Sequence, residues 1–178
     1  MIFHETELSG LVLIESAEAD DSRGYFLRTF CAESFAANSL NTEWSQTNLS
    51  YTARRGTLRG LHFQHDPAPE IKLIQCLTGR ILDVIVDLRK GSATYGKWLS
   101  FELSEENHRM LYVPGGFAHG FQCLEDDCRV SYMMSECYVP GLAAGVRWND
   151  PDLAIKWPIA DPHLSERDTE LPLLADLE

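Results

Sequence analysis

Ile71-Lys72-Leu73-Ile74-Gln75-Cys76-Leu77-Thr78-Gly79-Arg80-Ile81-Leu82-Asp83-Val84-Ile85-Val86-Asp87-Leu88 decides the fold. Residues 71–77 and 81–88 are apolar runs rich in Ile, Leu and Val. Each has the length of a strand and is too short for a packed helix, and the Thr78-Gly79 spacing predicts a hairpin between them. The same pattern recurs outward at residues 10–14, 25–30, 98–103, 110–113, 120–124 and 129–134. Lys90-Gly91-Ser92, Pro114-Gly115-Gly116 and Glu125-Asp126-Asp127 supply the breaks. Short, regularly punctuated runs predict an all-β antiparallel sandwich or barrel. Helical periodicity is confined to residues 32–38 and one turn at 104–108, where Ser104 is positioned to cap with Asn107 or Glu106 nearby. Beyond Pro140, Trp148-Asn149-Asp150-Pro151, Trp157-Pro158 and Asp161-Pro162 disfavour regular elements, while their aromatic rings predict a tail packed on the barrel. With no repeat or linker, residues 1–178 read as a single domain.

The chain has 178 residues and a net charge of −12, with 44% apolar residues and 24% charged, values that oppose global disorder. No apolar stretch approaches the ~18 residues of a membrane span, and the excess of acid opposes attraction to a phosphate backbone. The first residues, Met1-Ile2-Phe3-His4-Glu5-Thr6-Glu7, lack the basic start and apolar core of a secretory signal. The expectation is a soluble cytoplasmic protein that binds neither nucleic acid nor membrane. Cys31, Cys76, Cys123, Cys128 and Cys137 form an odd set without a Cys-x-x-Cys pair, so reduced and mostly buried thiols are expected. The spacing of Cys123 and Cys128 does not suit a zinc knuckle.

Residues 44–65 contain no Asp or Glu, where the average composition would place about three, and they carry Arg54, Arg55 and Arg59. Such a segment either is reserved for an anionic ligand, which arginine grips as a fork, or is a basic loop by chance. In an extended strand His62 and Gln64 share a face and His65 points to the other, so the two histidines do not chelate one ion. Glu70, Lys72 and Ile74 share a face, which leaves Lys72 either snorkelling outward or pointing into a polar cavity. His119 follows a glycine turn and either faces a barrel interior or is a core histidine. Tyr132 and Tyr138 are ordinary core and rim residues unless a cavity reaches them.

Several motifs together resemble the dTDP-4-dehydrorhamnose 3,5-epimerase family. They are Arg23-Gly24-Tyr25-Phe26, residues 46–50, Gly56-Thr57-Leu58-Arg59-Gly60-Leu61-His62-Phe63-Gln64, residues 72–76, residues 83–89, residues 114–121 and Leu164-Ser165-Glu166-Arg167-Asp168, in order and spacing over nearly the whole chain. The resemblance implies a cupin-like antiparallel jelly roll, usually a homodimer. It also implies action on a nucleotide-diphosphate 4-keto-6-deoxyhexose in dTDP-rhamnose biosynthesis, with no metal and no organic cofactor. By position it assigns His62 as base, Asp168 as its orienting carboxylate, Lys72 to the keto oxygen and Tyr132 as acid on the opposite sugar face. Arg59 and His119 become sugar and diphosphate contacts. Arg23 and Phe26 become nucleotide contacts reaching across the dimer, Gln46 and Asn48 line the same groove, and Tyr138 and Arg167 complete the substrate-binding set. Arg28 departs from the pattern, standing where a Glu often follows the Arg-Gly-x-Phe motif, and an acid-to-base exchange there bears on the nucleobase recognised.

Two rival readings remain at this level. Pro114-x-Gly116-x-x-His119 resembles the second motif of metal-dependent cupins, with His62, His65 and Glu70 as further ligands, although the His-x-His pair is missing and Lys72 would repel a divalent cation. A non-catalytic sugar-nucleotide-binding cupin would keep the same residues without turnover.

Overall fold

The computed structural model describes residues 1–177. In chain order the elements are β1 (Ile2–Glu5), β2 (Val12–Glu15), β3 (Ala19–Asp21), β4 (Gly24–Phe26), α1 (Ala32–Ala37), β5 (Gln46–Thr52), β6 (Leu58–Gln64) and β7 (Lys72–Thr78). They continue with β8 (Arg80–Asp87), β9 (Trp98–Ser104), β10 (Met110–Val113), β11 (Phe117–Cys123), β12 (Cys128–Met134), β13 (Ala143–Gly145) and α2 (Glu166–Thr169), followed by a 3-10 turn at Leu174–Asp176. A six-stranded sheet runs β1-β2-β10-β7-β12-β5, a five-stranded sheet runs β13-β6-β11-β8-β9, and β3-β4 form a separate ribbon. Every strand pair is antiparallel. The result is the expected cupin-like jelly roll.

The expected hairpin at Thr78-Gly79 is not one. β7 pairs with β10 and β12, whereas β8 pairs with β11 and β9, so the turn carries the chain from one sheet to the other. Both runs are apolar enough to pair, but their inner faces pack against each other across the core. Gly79 has φ +75°, and a Cβ on it would lie 2.9 Å from the Cys128 sulfur, so the corner turns in space that only glycine fits. Residues 104–108 form a turn and not a helix, with Ser104 and Asn107 exchanging hydrogen bonds at 3.1 and 3.0 Å. The run 25–30 keeps strand geometry only as far as Phe26.

Between the sheets, Ile74 and Cys76 meet Ile81, Ile85, Leu103, Phe117, Phe121 and Val130 in one apolar core. The outer face of the five-stranded sheet is apolar as well, through Leu61, Val84, Val86 and Ala118, and cannot be left to water. The chain beyond Pro140 covers it with Val146, Leu153 and Trp157, as the aromatic content predicted. The Trp98 and Trp157 indole N–H groups donate to the carbonyls of Leu153 and Trp148, each at 2.8 Å. Cys76, Cys123 and Cys128 are buried free thiols, but Cys31 is half-buried and Cys137 is exposed. No helix among the described residues is long and apolar enough to cross a membrane.

Asp87 ties the β8–β9 connection together. Its buried carboxylate accepts from Arg89 Nε and Nη2 at 2.9 and 2.8 Å, Ser92 Oγ at 2.7 Å and Thr94 Oγ1 at 2.6 Å. Burial alone would push this carboxyl up, but these donors together hold it far below the usual carboxylate range. A depressed folded-state pKa stabilises the fold above the unfolded value of about 3.9, and this contribution is lost as pH falls through the folded-state value. Asp87→Asn is therefore expected to cost about 3 kcal/mol at pH 7 in urea unfolding, with the gap from wild type narrowing below about pH 4. An unchanged midpoint at pH 7 would contradict this account.

Candidate active site

The inner faces change character along the strands. On β7, Lys72 shares its face with core residues Ile74 and Cys76, and on β12, Tyr132 and Met134 follow core residues Cys128 and Val130 on one face. The polar ends face a cavity of about 430 Å³ between the two sheets. β5 forms one wall with Gln46, Asn48 and Ser50, an alternation invisible to an apolar-pattern search because its inner residues are polar and its outer Leu49 and Tyr51 are exposed.

His62 lies on β6 with Nε2 2.6 Å from Asp168 Oδ1, which leaves Nδ1 as its free nitrogen. Asp168 is delivered by α2, whose N-cap Ser165 hydroxyl accepts from the Asp168 backbone N–H at 3.2 Å. Burial pushes the Asp168 carboxyl up, but the His62 hydrogen bond and charge, with the Gly60 N–H, outweigh it and hold the group below the usual range. Across the cavity Tyr132, on the other sheet, places its hydroxyl 3.3 Å from Ser50 Oγ. Burial raises the Tyr132 phenol well above its ordinary value.

Lys72 points inward and is 3% exposed, so the snorkelling alternative is closed. Its Nζ lies 2.8 Å from Glu70 Oε1 and donates to the His62 carbonyl at 3.2 Å. His119 is the cross-strand neighbour of His62 and sits 2.5 Å from Asp83, a fully buried carboxylate whose second oxygen has no partner. Arg59 donates from Nε to Thr52 Oγ1 at 3.1 Å and from Nη2 to the Tyr51 carbonyl at 3.2 Å, with no carboxylate on it among the described residues. Tyr138 and Arg167 line the rim.

Strict alternation forbids Arg59 and His62, three residues apart, from facing one side. The β6–β11 register shifts between His119 and Phe121, where Gly60 (φ +128°) sits against Gly120. A Cβ on Gly60 would lie 2.5 Å from the Gly120 Cα, so the irregularity depends on that glycine pair.

Other sequence candidates lie elsewhere. Arg23 is paired with Asp21 at 2.5 Å, Phe26 is 74% exposed on the β3–β4 ribbon, and Arg28 is exposed, its carbonyl accepting from Ser16 Oγ. None of the three lines this chain's own cavity. Of the arginines in the acid-free segment only Arg59 enters it. Arg55 turns to the Leu124 carbonyl, so no triple-arginine cluster forms. Asp83 and Ser50 fall inside motifs read from the sequence without a role of their own, and Glu70 enters there only as a ligand of the metal-cupin reading and as a neighbour of Lys72 on one strand face. His65 points away from the cavity, onto Phe63, as alternation required. Among the described residues no three His, Cys, Asp or Glu side chains are placed to hold one metal ion, so the ligand set of the metal-cupin reading is not assembled.

Residues 5–176 match the family model described as dTDP-4-dehydrorhamnose 3,5-epimerase. An enzyme of that description from Methanothermobacter thermautotrophicus is 46% identical over 93% of this chain and 90% of its own. The crystal structure of the Bacillus anthracis dTDP-4-dehydrorhamnose 3,5-epimerase, with TDP and PPi bound, superposes with a TM-score of 0.95 at 44% identity, covering 97% of this chain and 99% of that one. The dTDP-6-deoxy-D-glucose-3,5-epimerase of Legionella pneumophila, in complex with dTDP-4-keto-L-rhamnose, gives 0.94 at 35% identity over 99% of this chain and 94% of that one. With the motifs in register and the fold matched along its length, this chain belongs to the dTDP-4-dehydrorhamnose 3,5-epimerase family.

Proposed function

We propose that this chain inverts C3, C5 or both of a dTDP-linked 4-keto-6-deoxyhexose by removing a proton on one sugar face and returning one on the other. The observation that carries the reading is the opposition of His62 and Tyr132. They stand on different sheets with the cavity between them, one an imidazole backed by a carboxylate and the other a phenol kept protonated by burial. A C–H beside a ketone becomes acidic enough only if the enolate oxygen is stabilised as the proton leaves. Lys72 supplies that charge. His62 takes the proton at Nδ1 while Asp168 holds the imidazolium, and Tyr132 donates to the carbanion from the far side. Both groups then recover their starting protonation by exchange with solvent. The C4 ketone flanks C3 and C5 alike, so one base and one acid serve either centre as the sugar shifts.

Charge distribution supports the polarity of binding. Lys72, His62 and His119 each have a carboxylate partner, whereas Arg59 and Arg167 have none among the described side chains. The uncompensated guanidinium groups suit the diphosphate, and the neutralised pairs suit an uncharged sugar. In this reading the exposed Arg23 and Phe26 reach the nucleotide end of a second copy's cavity, which makes the functional unit a homodimer of single-domain chains. Gln46 and Asn48 line the same groove, Tyr138 closes it, and a cytoplasmic setting fits a nucleotide-linked substrate.

Incubation with dTDP-4-keto-6-deoxyglucose in D₂O should place deuterium at C3 or C5 by NMR, and an absence of exchange would reduce the chain to a binder. His62→Asn should slow this wash-in by at least about 100-fold while TDP affinity holds, and near-normal exchange would remove His62 as base. Tyr132→Phe should raise the ratio of deuterium in recovered substrate to epimer formed, because the enolate still forms but is reprotonated from the original face. A ratio that does not rise would remove Tyr132 from the acid role and make Tyr138 the next candidate. If Arg28 lies at the nucleotide end, Arg28→Glu should change relative kcat/KM among dTDP-, UDP-, CDP- and GDP-linked substrates. Identical ratios in variant and wild type would count against that placement.

A further inference from the structure

An ammonium group has three N–H donors and no acceptor. Two of the donors on Lys72 are already directed, one to Glu70 Oε1 at 2.8 Å and one to the His62 carbonyl at 3.2 Å, which leaves the third for the cavity. The first contact is set by the backbone. Ile71, between Glu70 and Lys72, is pinned on both sides: its N–H donates to Ser135 Oγ at 2.8 Å and its carbonyl accepts from the Ser135 N–H at 3.0 Å. Strand alternation about that clamped residue sends Glu70 and Lys72 to the same side, into the same cavity. Both are nearly closed off from solvent, with side chains 10% and 4% exposed. A buried ammonium without a counter-charge would turn away, and a carboxylate held at hydrogen-bond distance prevents that.

We propose that Glu70 is a positioning residue of the proton-transfer site, acting through Lys72 to hold its ammonium aimed at the oxygen of the sugar ketone. The role rests on the epimerase reading given above. Glu70 has no need to touch the reacting carbon. Its carboxylate and the carbonyl of the base's own residue fix the Lys72 nitrogen at two points, so the enolate-stabilising donor and His62 keep one spacing through the reaction. Asp168 behind His62 and Asp83 behind His119 repeat the arrangement, a buried carboxylate behind each of the two inward histidines.

The test is a double-mutant cycle of wild type, Glu70→Gln, Lys72→Ala and the double variant. Its readouts are kcat for deuterium wash-in from D₂O into dTDP-4-keto-6-deoxyglucose, Kd for TDP and the thermal midpoint. Glu70→Gln should lower kcat by about 10- to 100-fold with TDP affinity within about twofold, and in the Lys72→Ala background it should change kcat by less than about threefold. Glu70→Asp keeps the charge but withdraws it by one methylene. It should lower kcat by about 3- to 10-fold without moving the thermal midpoint, and it serves as the decisive variant if Glu70→Gln does not fold. Wild-type kcat in the folded Glu70 variants, or an equal loss with and without Lys72, would overturn the role while leaving the epimerase reading intact. A wild type that incorporates no deuterium would overturn the epimerase reading and this role with it.

Discussion

The 2.6 Å bond between His62 and Asp168 joins residues 106 positions apart, and most of the architecture is arranged to allow it. His62 is carried on an inner strand, while Asp168 belongs to a segment that makes almost no regular structure. That segment reaches the mouth of the cavity because the apolar outer face of the five-stranded sheet holds the chain from Val146 to Trp157 against it. Hydrophobic cover therefore delivers the carboxylate, and the Ser165 cap fixes its final direction. Without the covering tail His62, whose side chain is one-third exposed, would have no carboxylate behind it.

Alternation supplies the second constraint. Successive strands from β6 to β8 cross between the sheets, so residues close in sequence face one another across the interior. Lys72 on β7 reaches back to the carbonyl of His62 on β6 by this route. The same crossing sets Tyr132 opposite His62 with no covalent neighbourhood between them. An acid and a base on two sheets can address two faces of a sugar, which two groups on one strand face could not.

The sequence made much of this legible. Apolar runs of strand length gave the all-β class, and the parity of residues 62, 64 and 65 and of 70, 72 and 74 correctly sorted side chains between faces. What it could not show followed from tertiary packing. Thr78-Gly79 has the length and composition of a hairpin turn, and nothing local distinguishes a hairpin from a corner between sheets; the difference lies in which strands β7 and β8 find as partners. β5 escaped notice because a strand facing a polar cavity loses its apolar period. Arg59 and His62 share a cavity only through the register shift at Gly60 and Gly120, which parity alone would have denied. Of the arginines in the acid-free segment only Arg59 lines the cavity, because charge composition carries no information on which side a residue faces.

Charge balance links the site to the whole chain. A protein of net charge −12 repels a diphosphate at long range, so attraction must be local. In the proposed reading, pairing His62, His119 and Lys72 with carboxylates removes the field that would otherwise draw the diphosphate to their end of the cavity. It leaves Arg59, whose partners are a hydroxyl and a carbonyl, and Arg167 as the cations with charge to spare. The carboxylates behind His62, His119 and Lys72 thus do two things at once. They fix the directions of His62, His119 and Lys72, and by cancelling their charges they leave the guanidinium groups as uncompensated cations, which in the proposed reading sets the direction in which a nucleotide sugar enters.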